Sequence, residues 1–312
     1  MSPLRNACET YLALRRGLGT ELLRPGAYLR RFVEFLDREG AAVITTELAL
    51  RWATAPAQAT RATWASRLDD VRRFAIWLSA TDARTEVPPR GLLPDRYRRH
   101  PPYIYSDQEI ERIVQKAARL PSPSGMRAHT YATLFGLLAA TGLRLSEALA
   151  LDREDVDLRA GVLAIRRTKF GKSRFVPVHN STRVALKRYA QKRDILVPRP
   201  ASSAFLLSEY GSRITQCSAR YNFVVVSRAI GLRAPARSHG RGPRLHDMRH
   251  RLAARTLGRW YRQGRDVERE LPKLSTYLGH VHVADTYWYI EAVPELLRLA
   301  TERATGSRKE AP

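Results

Sequence analysis

Apolar side chains recur at Tyr28, Leu29, Phe32, Val33 and Leu36, and again at Trp64, Leu68, Val71, Ala75 and Leu78. Steps of three and four residues put each set on one face of an α-helix, so the spacing predicts two helices with a core-facing stripe each. Residues 1–82 are therefore read as a small all-helical domain. Arg30, Arg31, Arg61, Arg67, Arg72 and Arg73 fall between and opposite the stripes, which places them outside the expected core.

From Ala83 to Tyr105 the pattern stops. Pro88, Pro89, Pro94, Pro101 and Pro102 interrupt it, and Arg96, Arg98 and Arg99 lie in the basic run RYRRH, so residues 83–105 read as a basic, proline-rich linker. Ser106 with Glu109 three residues later has the pattern of a capping box and opens a second domain, 106–312. Within it, 131–140 reads as a buried helix. TGLRLSEALAL, 141–151, reads as another that starts after the Thr141-Gly142 break and carries Arg144 in its first turn. Two β-branched and apolar-rich runs, 162–168 and 174–178, flank KFGKS with a turn glycine at Gly171, which predicts a β-hairpin. Helices are expected over 181–193, 215–230 and 246–262, a short strand over 205–207, a basic loop over 233–244, and a further helical region up to Tyr289. The expected fold is mainly α with a small antiparallel β component, a helical N-terminal domain followed by a mixed α/β domain.

Charge narrows the partners. Lys and Arg number 54 against 30 Asp and Glu, a formal net charge of +24. Cations in that excess repel one another in a compact chain unless a polyanion neutralises some of them, so nucleic acid is the expected partner. The arginines of the N-terminal helices and of the linker are then candidate phosphate contacts, ordinary solvated faces being the plainer alternative for any one of them. The two cysteines, Cys8 and Cys217, are far apart and form no CxxC pattern, so neither a disulfide framework nor a cysteine zinc site is expected. The N-terminus lacks a continuous apolar segment, and the longest near-apolar stretch, Leu134 to Leu143, is too short to span a bilayer. A cytoplasmic protein with no membrane partner is the expectation.

The candidate chemistry is carried by Arg144, Lys169, His246, Arg249, His280 and Tyr289, in that order along the chain. Two arginines and two histidines can neutralise and hydrogen-bond a phosphodiester, and a tyrosine can attack its phosphorus. Glu147, three residues after Arg144 on a helix, can hold the guanidinium in place. His246 and Arg249 share a face by the same spacing. Lys169 and Lys172 both sit at the tip of the expected hairpin, and either can reach a leaving oxygen. His246 and His250 also mimic the helical spacing of a zinc protease, but Asp247 is shorter than the Glu that pattern needs and Arg249 would put a cation beside the metal, so no metal is expected. His250 is assigned to solvent or DNA. Tyr277, Tyr287 and Tyr289 crowd one region, where core packing is the usual fate of tyrosine.

TGLRLSEAL, TKFGKSRFVPV, LHDMRH and LGH with a tyrosine nine residues on together resemble the tyrosine recombinases, the phage integrase family, over about residues 103–305. The resemblance implies that Arg144 and Arg249 clamp the phosphate, that His246 and His280 are the two histidines, that Tyr289 is the nucleophile, that Lys169 is the hairpin lysine, and that Glu147 supports the site. It also implies a 3′-phosphotyrosyl intermediate, exchange through a four-way junction, a tetramer on double-stranded DNA, and no cofactor. By organisation, residues 1–82 resemble the family's core-binding domain. The C-terminal run resembles recombinases of transposons and plasmids more than chromosome-dimer resolvases, which makes a mobile element the expected context, and Val293, Leu296, Leu297 and Ala300 form a stripe expected to dock on a neighbouring protomer, packing within the chain being the plainer alternative. Arg251 departs from the pattern, which has a small hydroxyl residue there. A type IB-like topoisomerase and a catalytically silent DNA-binding relative remain open alternatives.

Overall fold

The computed structural model of the chain describes residues 2–93, 101–166, 173–234 and 242–309, the side chains beyond Arg303 excepted. Arg96, Arg98, Arg99, Lys169 and Lys172 lie outside the described residues. Two compact units divide the chain, Met1–His100 and Pro101–Pro312.

The first unit consists of α1 (Pro3–Gly17), α2 (Leu23–Arg38), α3 (Thr46–Thr54) and α4 (Arg61–Leu78). Ser2, Thr45 and Thr60 each accept a backbone N–H with the side-chain hydroxyl, satisfying donors that have no partner inside α1, α3 and α4. The stripe on α2 is buried as its spacing predicts, with Leu29, Phe32, Val33 and Leu36 packing against Leu68, Val71, Phe74 and Ala75 of α4 and Leu12 of α1. Residues 85–93 lie against the same core: Thr85 is buried, Val87 and Leu93 pack on the cluster, and the Glu86 carboxylate accepts the Thr46 N–H at 2.7 Å.

Arg67 does not face outward. It is buried, its guanidinium lies 3.7 Å over the Trp52 ring, and Nη2 donates to the Trp52 carbonyl at 2.6 Å. The long side chain covers the indole and spends its charge on the π face and a carbonyl, which removes it from the candidate phosphate contacts. Arg30 is paired with Glu9 at 2.6 Å, and Arg73 with Asp69 and Asp70. Arg31 and Arg61 are exposed.

The second unit contains α5 (Asp107–Ala117), α6 (Met126–Thr141), α7 (Leu145–Ala150), β1 (Val156–Asp157), β2 (Val162–Ile165), β3 (Arg174–Pro177), α8 (Asn180–Leu196), α9 (Gln216–Ala229), α10 (Asp247–Arg262), α11 (Val267–Leu278), α12 (Ala284–Ala292) and α13 (Pro294–Lys309). The capping box opens α5, where Ser106 Oγ accepts the Glu109 N–H at 3.1 Å and the Glu109 carboxylate accepts the Ser106 N–H at 2.8 Å. The strands form one antiparallel sheet in the order β1-β2-β3, with Leu163 opposite Val176 and Ile165 opposite Arg174. The sheet, α5, α6, α8 and α9 enclose one core around Leu134, Phe135, Ile113, Val176 and Phe223, and α10 to α13 enclose another around Leu257, Leu271, Leu278 and Leu296.

The strand expected over 205–207 is reduced to isolated antiparallel bridges, Ala204 with Asp152 and Leu207 with Arg213. Its residues are buried, but its backbone is satisfied without a ladder: the Phe205 carbonyl accepts from Arg193, the Leu207 N–H donates to Tyr189 Oη at 3.0 Å, and the Leu207 carbonyl accepts from Thr130 Oγ1 at 2.8 Å. Side chains of α6 and α8, with the Leu151 carbonyl that accepts the Phe205 N–H at 2.8 Å, take the place of a continuous partner strand. Among the described residues no helix is long and apolar enough to cross a membrane.

Candidate active site

The break between α6 and α7 builds one wall of the site. Gly142 closes α6 in the left-handed region at φ 62°, a conformation that favours glycine, and a Cβ there would lie 2.8 Å from Leu252 Cδ2 and push the end of that side chain aside. Arg144 follows as the N-cap of α7 rather than within its first turn. Glu147, buried, accepts the Arg144 backbone N–H with Oε2 at 3.0 Å and its guanidinium with Oε1 at 2.7 Å. Burial acts to raise the Glu147 pKa, but hydrogen bonds and charge from Arg174 and Arg144 outweigh it and hold the carboxyl below the usual range.

Arg174 had no assigned role from sequence. It forks onto Glu147 with Nη1 at 3.1 Å and Nη2 at 2.8 Å, while Nε donates to the Tyr277 carbonyl at 2.9 Å. A signal was present in the strand parity: Arg174 and Val176 point to the buried side of β3, leaving Phe175 75% exposed.

The opposite wall is the C-terminus of α11. Arg249, buried on α10, donates to the Gly142 carbonyl at 2.9 Å and to the Leu278 carbonyl at 2.6 Å, while Arg144 Nη2 donates to the Gly279 carbonyl at 3.0 Å. Both guanidinia are thus held by carbonyls whose positions are fixed by helix ends. Burial, and next the charge of Arg144, bring the Arg249 pKa down to about 10, which leaves it charged at neutral pH. Gly279, at φ 69°, turns the chain out of α11 into His280, whose Nδ1 lies 2.7 Å from Oγ1 of the fully buried Thr286.

Rings close the floor. Tyr289 of α12 is buried and stacks on His280 at 6.1 Å between centroids and 24° between planes. His250 meets Tyr289 at 5.4 Å, Trp288 at 5.3 Å and His246 at 4.7 Å. Its expected exposure to solvent or DNA is therefore incorrect: the fourth residue after His246 lands on the inner face of α10, against the nucleophile candidate. Burial pushes the Tyr289 pKa up, partly offset by Arg249. His246 is open to solvent on one side, yet crowding on the other, then the charge of Arg249, lowers its pKa to about 4, and His280 is lowered likewise by burial and Arg249. At neutral pH both imidazoles are uncharged and Tyr289 keeps its proton. A cleft of about 530 Å3, lined in part by Arg144, Arg220, Arg233, Arg244 and His246, opens beside these groups.

Arg144, Glu147, His246, Arg249, His280 and Tyr289 are thus brought together, and the two hairpin lysines lie outside the described residues. Among the described residues no cluster of His, Cys, Asp or Glu is suited to a metal ion, and Asp247 is engaged by Arg244 at 2.8 Å. Arg251, the departure from the expected small hydroxyl, is buried, donates to the Tyr105 carbonyl at 2.9 Å and pairs with Asp107, fastening the start of α5 to α10. In the single chain Val293 and Leu296 pack with Leu257 of α10, while Leu297 stays 51% exposed.

The chain is similar to known proteins in sequence and fold. The phage integrase family matches residues 104–295. The candidate integrase/recombinase y4rB of Sinorhizobium fredii is 48% identical over 307 residues, covering 97% of each chain. The tyrosine recombinase XerC of Mycobacterium sp. (strain JLS) is 29% identical, covering 97% of this chain and 99% of its own. The Tn1549 transposon integrase in complex with transposon right end DNA shares the fold with a TM-score of 0.64 at 17% identity, over 96% of this chain and 99% of that one. A match across most of the second unit, joined to a relative nearly half identical over the whole length, places this chain in the phage integrase family of tyrosine recombinases.

Proposed function

We propose that this chain is a site-specific DNA recombinase that cleaves and rejoins double-stranded DNA for a mobile element. The observation that carries the reading is the convergence of Arg144, Arg249, His280 and Tyr289 from the start of α7, α10, the α11–α12 turn and α12 onto one basin beside a basic cleft. Arg144 and Arg249 hold the non-bridging oxygens of the scissile phosphate, with the free N–H of His280 as a third donor. Tyr289 Oη attacks phosphorus, its proton passing to neutral His246, and the bond to the 5′ oxygen breaks as that oxygen takes a proton from Lys169, or alternatively Lys172. The products are a 3′-phosphotyrosyl linkage and a 5′-hydroxyl. Charge accumulating on the phosphoryl oxygens is met by two guanidinia, so this chemistry calls for no metal ion or nucleotide. Reversal by the 5′-hydroxyl of a second duplex, twice, exchanges strands through a Holliday junction within a tetramer. Residues 1–82 act as the core-binding domain and 83–105 as the linker to the catalytic domain, 106–312; Arg31, Arg61 and Arg72, with Arg30 and Arg73 after exchange of their carboxylate partners, and Arg96, Arg98 and Arg99, contact phosphates. Work in the cytoplasm, at the nucleoid, follows from the substrate.

The test incubates the protein and Tyr289→Phe with DNA flanking its own gene and resolves covalent adducts under denaturing conditions. An adduct formed by the parent and lost in the variant supports the reading. Binding with no adduct overturns cleavage, and relaxation of any supercoiled plasmid regardless of sequence replaces recombinase by topoisomerase.

A further inference from the structure

Arg144 faces a difficulty as a phosphate clamp: its nearest charged neighbour is a carboxylate. Glu147 takes the Arg144 guanidinium at 2.7 Å, and is itself buried, away from screening by water. Alone, that pair is neutral and would meet an incoming phosphate with little net attraction. Arg174 changes the count. It binds both oxygens of the same carboxylate, at 3.1 and 2.8 Å, from a side chain 11% exposed, so that two guanidinia and one carboxylate leave the cluster with one positive charge. Arg174, turned inward, is the less accessible of the two arginines, whose side chains are 11% and 32% exposed, so the uncompensated charge is presented by Arg144.

Geometry adds a second constraint. Arg174 Nε donates to the Tyr277 carbonyl, and the guanidinium lies so close to Gly279 that a Cβ there would be 2.6 Å from Nη1. Arg144 binds the carbonyl of the same Gly279, and His280 is the next residue. The backbone that presents His280 is therefore set against Arg174 on one side and tied to Arg144 by its carbonyl.

We propose that Arg174 is a positioning residue of the cleavage reaction, neutralising Glu147 so that Arg144 retains its charge for the scissile phosphate, and seating the turn that carries His280. The inference rests on the recombinase reading and concerns the rate of adduct formation rather than DNA affinity, because the effect is confined to one buried cluster.

The test measures adduct formation in a single turnover at saturating DNA taken from beside the chain's own gene, together with DNA affinity by gel shift, for the parent, Arg174→Met, Arg174→Lys and the double variant Arg174→Met/Glu147→Gln. The expected outcome is a loss of about 100-fold in rate for Arg174→Met, the size associated with losing one preorganised electrostatic contact, with affinity within about threefold. The double variant restores the single net positive charge of the cluster and regains about tenfold, and Arg174→Lys, which keeps charge but not the fork, falls between. The double variant also leaves no buried charge without a partner, so the comparison with Arg174→Lys stands even where Arg174→Met does not fold. A double variant no faster than Arg174→Met or Arg174→Lys reduces Arg174 to a structural anchor and overturns the proposal, as does Arg174→Met cutting at the parental rate. A parent that forms no adduct overturns the recombinase reading and this inference with it, whereas a parent that cuts beside equally active variants overturns this inference alone.

Discussion

Arg249 donates to the carbonyl of Gly142 at 2.9 Å across 107 residues of chain. The bond fixes α10 against the end of α6 and orients a guanidinium that also binds the Leu278 carbonyl and hydrogen-bonds the Tyr289 side chain. It depends on a peptide that only glycine forms without strain, at φ 62° and with Leu252 Cδ2 2.8 Å from the missing Cβ. Gly142→Ala is expected to lose about 1–3 kcal/mol of stability from the backbone conformation and the collision together. Adduct formation should fall further than stability does, because the carbonyl that holds Arg249 is displaced. Thermal unfolding and single-turnover cleavage check this, and a variant that melts with the parent would contradict it.

Most of the second unit was legible because its signals are local. The capping box at Ser106, the hairpin strands beside Lys169, the helix ending before Gly142 and the order of Arg144, His246, Arg249, His280 and Tyr289 are read from neighbouring residues. What was not legible depends on distance in sequence. Arg67 looked like a surface cation because its burial under Trp52 requires the docking of α3 on α4. His250 looked solvent-facing because Trp288 and Tyr289 return to it only after α11 and α12 have formed. Residues 205–207 looked like a strand because an apolar run carries no record that Tyr189, Thr130 and Arg193 will satisfy its backbone.

Thr286 is expected to set the tautomer of His280. With the ring neutral at working pH, a Thr286 hydroxyl donating to Nδ1 leaves the proton on Nε2, the nitrogen available to a phosphate oxygen. Thr286→Val keeps the shape and removes the hydroxyl. Its adduct rate should fall about tenfold with DNA affinity unchanged, in line with the loss of one outer-sphere hydrogen bond. Thr286→Ser should restore most of the rate, and equal rates for the valine and serine variants would show that the hydroxyl does not act.

His250 adds to an acid sensitivity of the second unit that it shares with His246 and His280, whose pKa values are lowered as well. Burial, then the neighbouring His246 and Arg244, lower its pKa to about 3 from an ordinary value of 6.5. The unfolded chain therefore binds a proton below pH 6.5 that the folded chain refuses, so stability is complete above 6.5 and declines as pH falls toward 3. Linkage makes this about 2 kcal/mol between pH 6.5 and 5 from this one group. His250→Gln should make that part of the urea-midpoint profile shallower, the remaining slope belonging to His246 and His280, and a profile of unchanged slope would assign the acid sensitivity to those two.

Two arginines of α4 should behave in opposite ways. Arg67 stacks on Trp52 and bonds its carbonyl, so Arg67→Ala opens space beside the indole and leaves that carbonyl without its partner. A loss of about 2–3 kcal/mol is expected, seen as a lower melting temperature, from unmade cation–π and hydrogen-bond contacts. Arg61 is exposed at the start of the same helix, and Arg61→Ala should leave melting within about 0.5 kcal/mol of the parent. As a phosphate contact it would instead reduce the slope of log affinity against log salt by about one unit for any DNA sequence. Binding measured between low and moderate salt separates the two: an unchanged slope for Arg61→Ala removes it from the interface, and a stable Arg67→Ala with a shallower slope would return Arg67 to it.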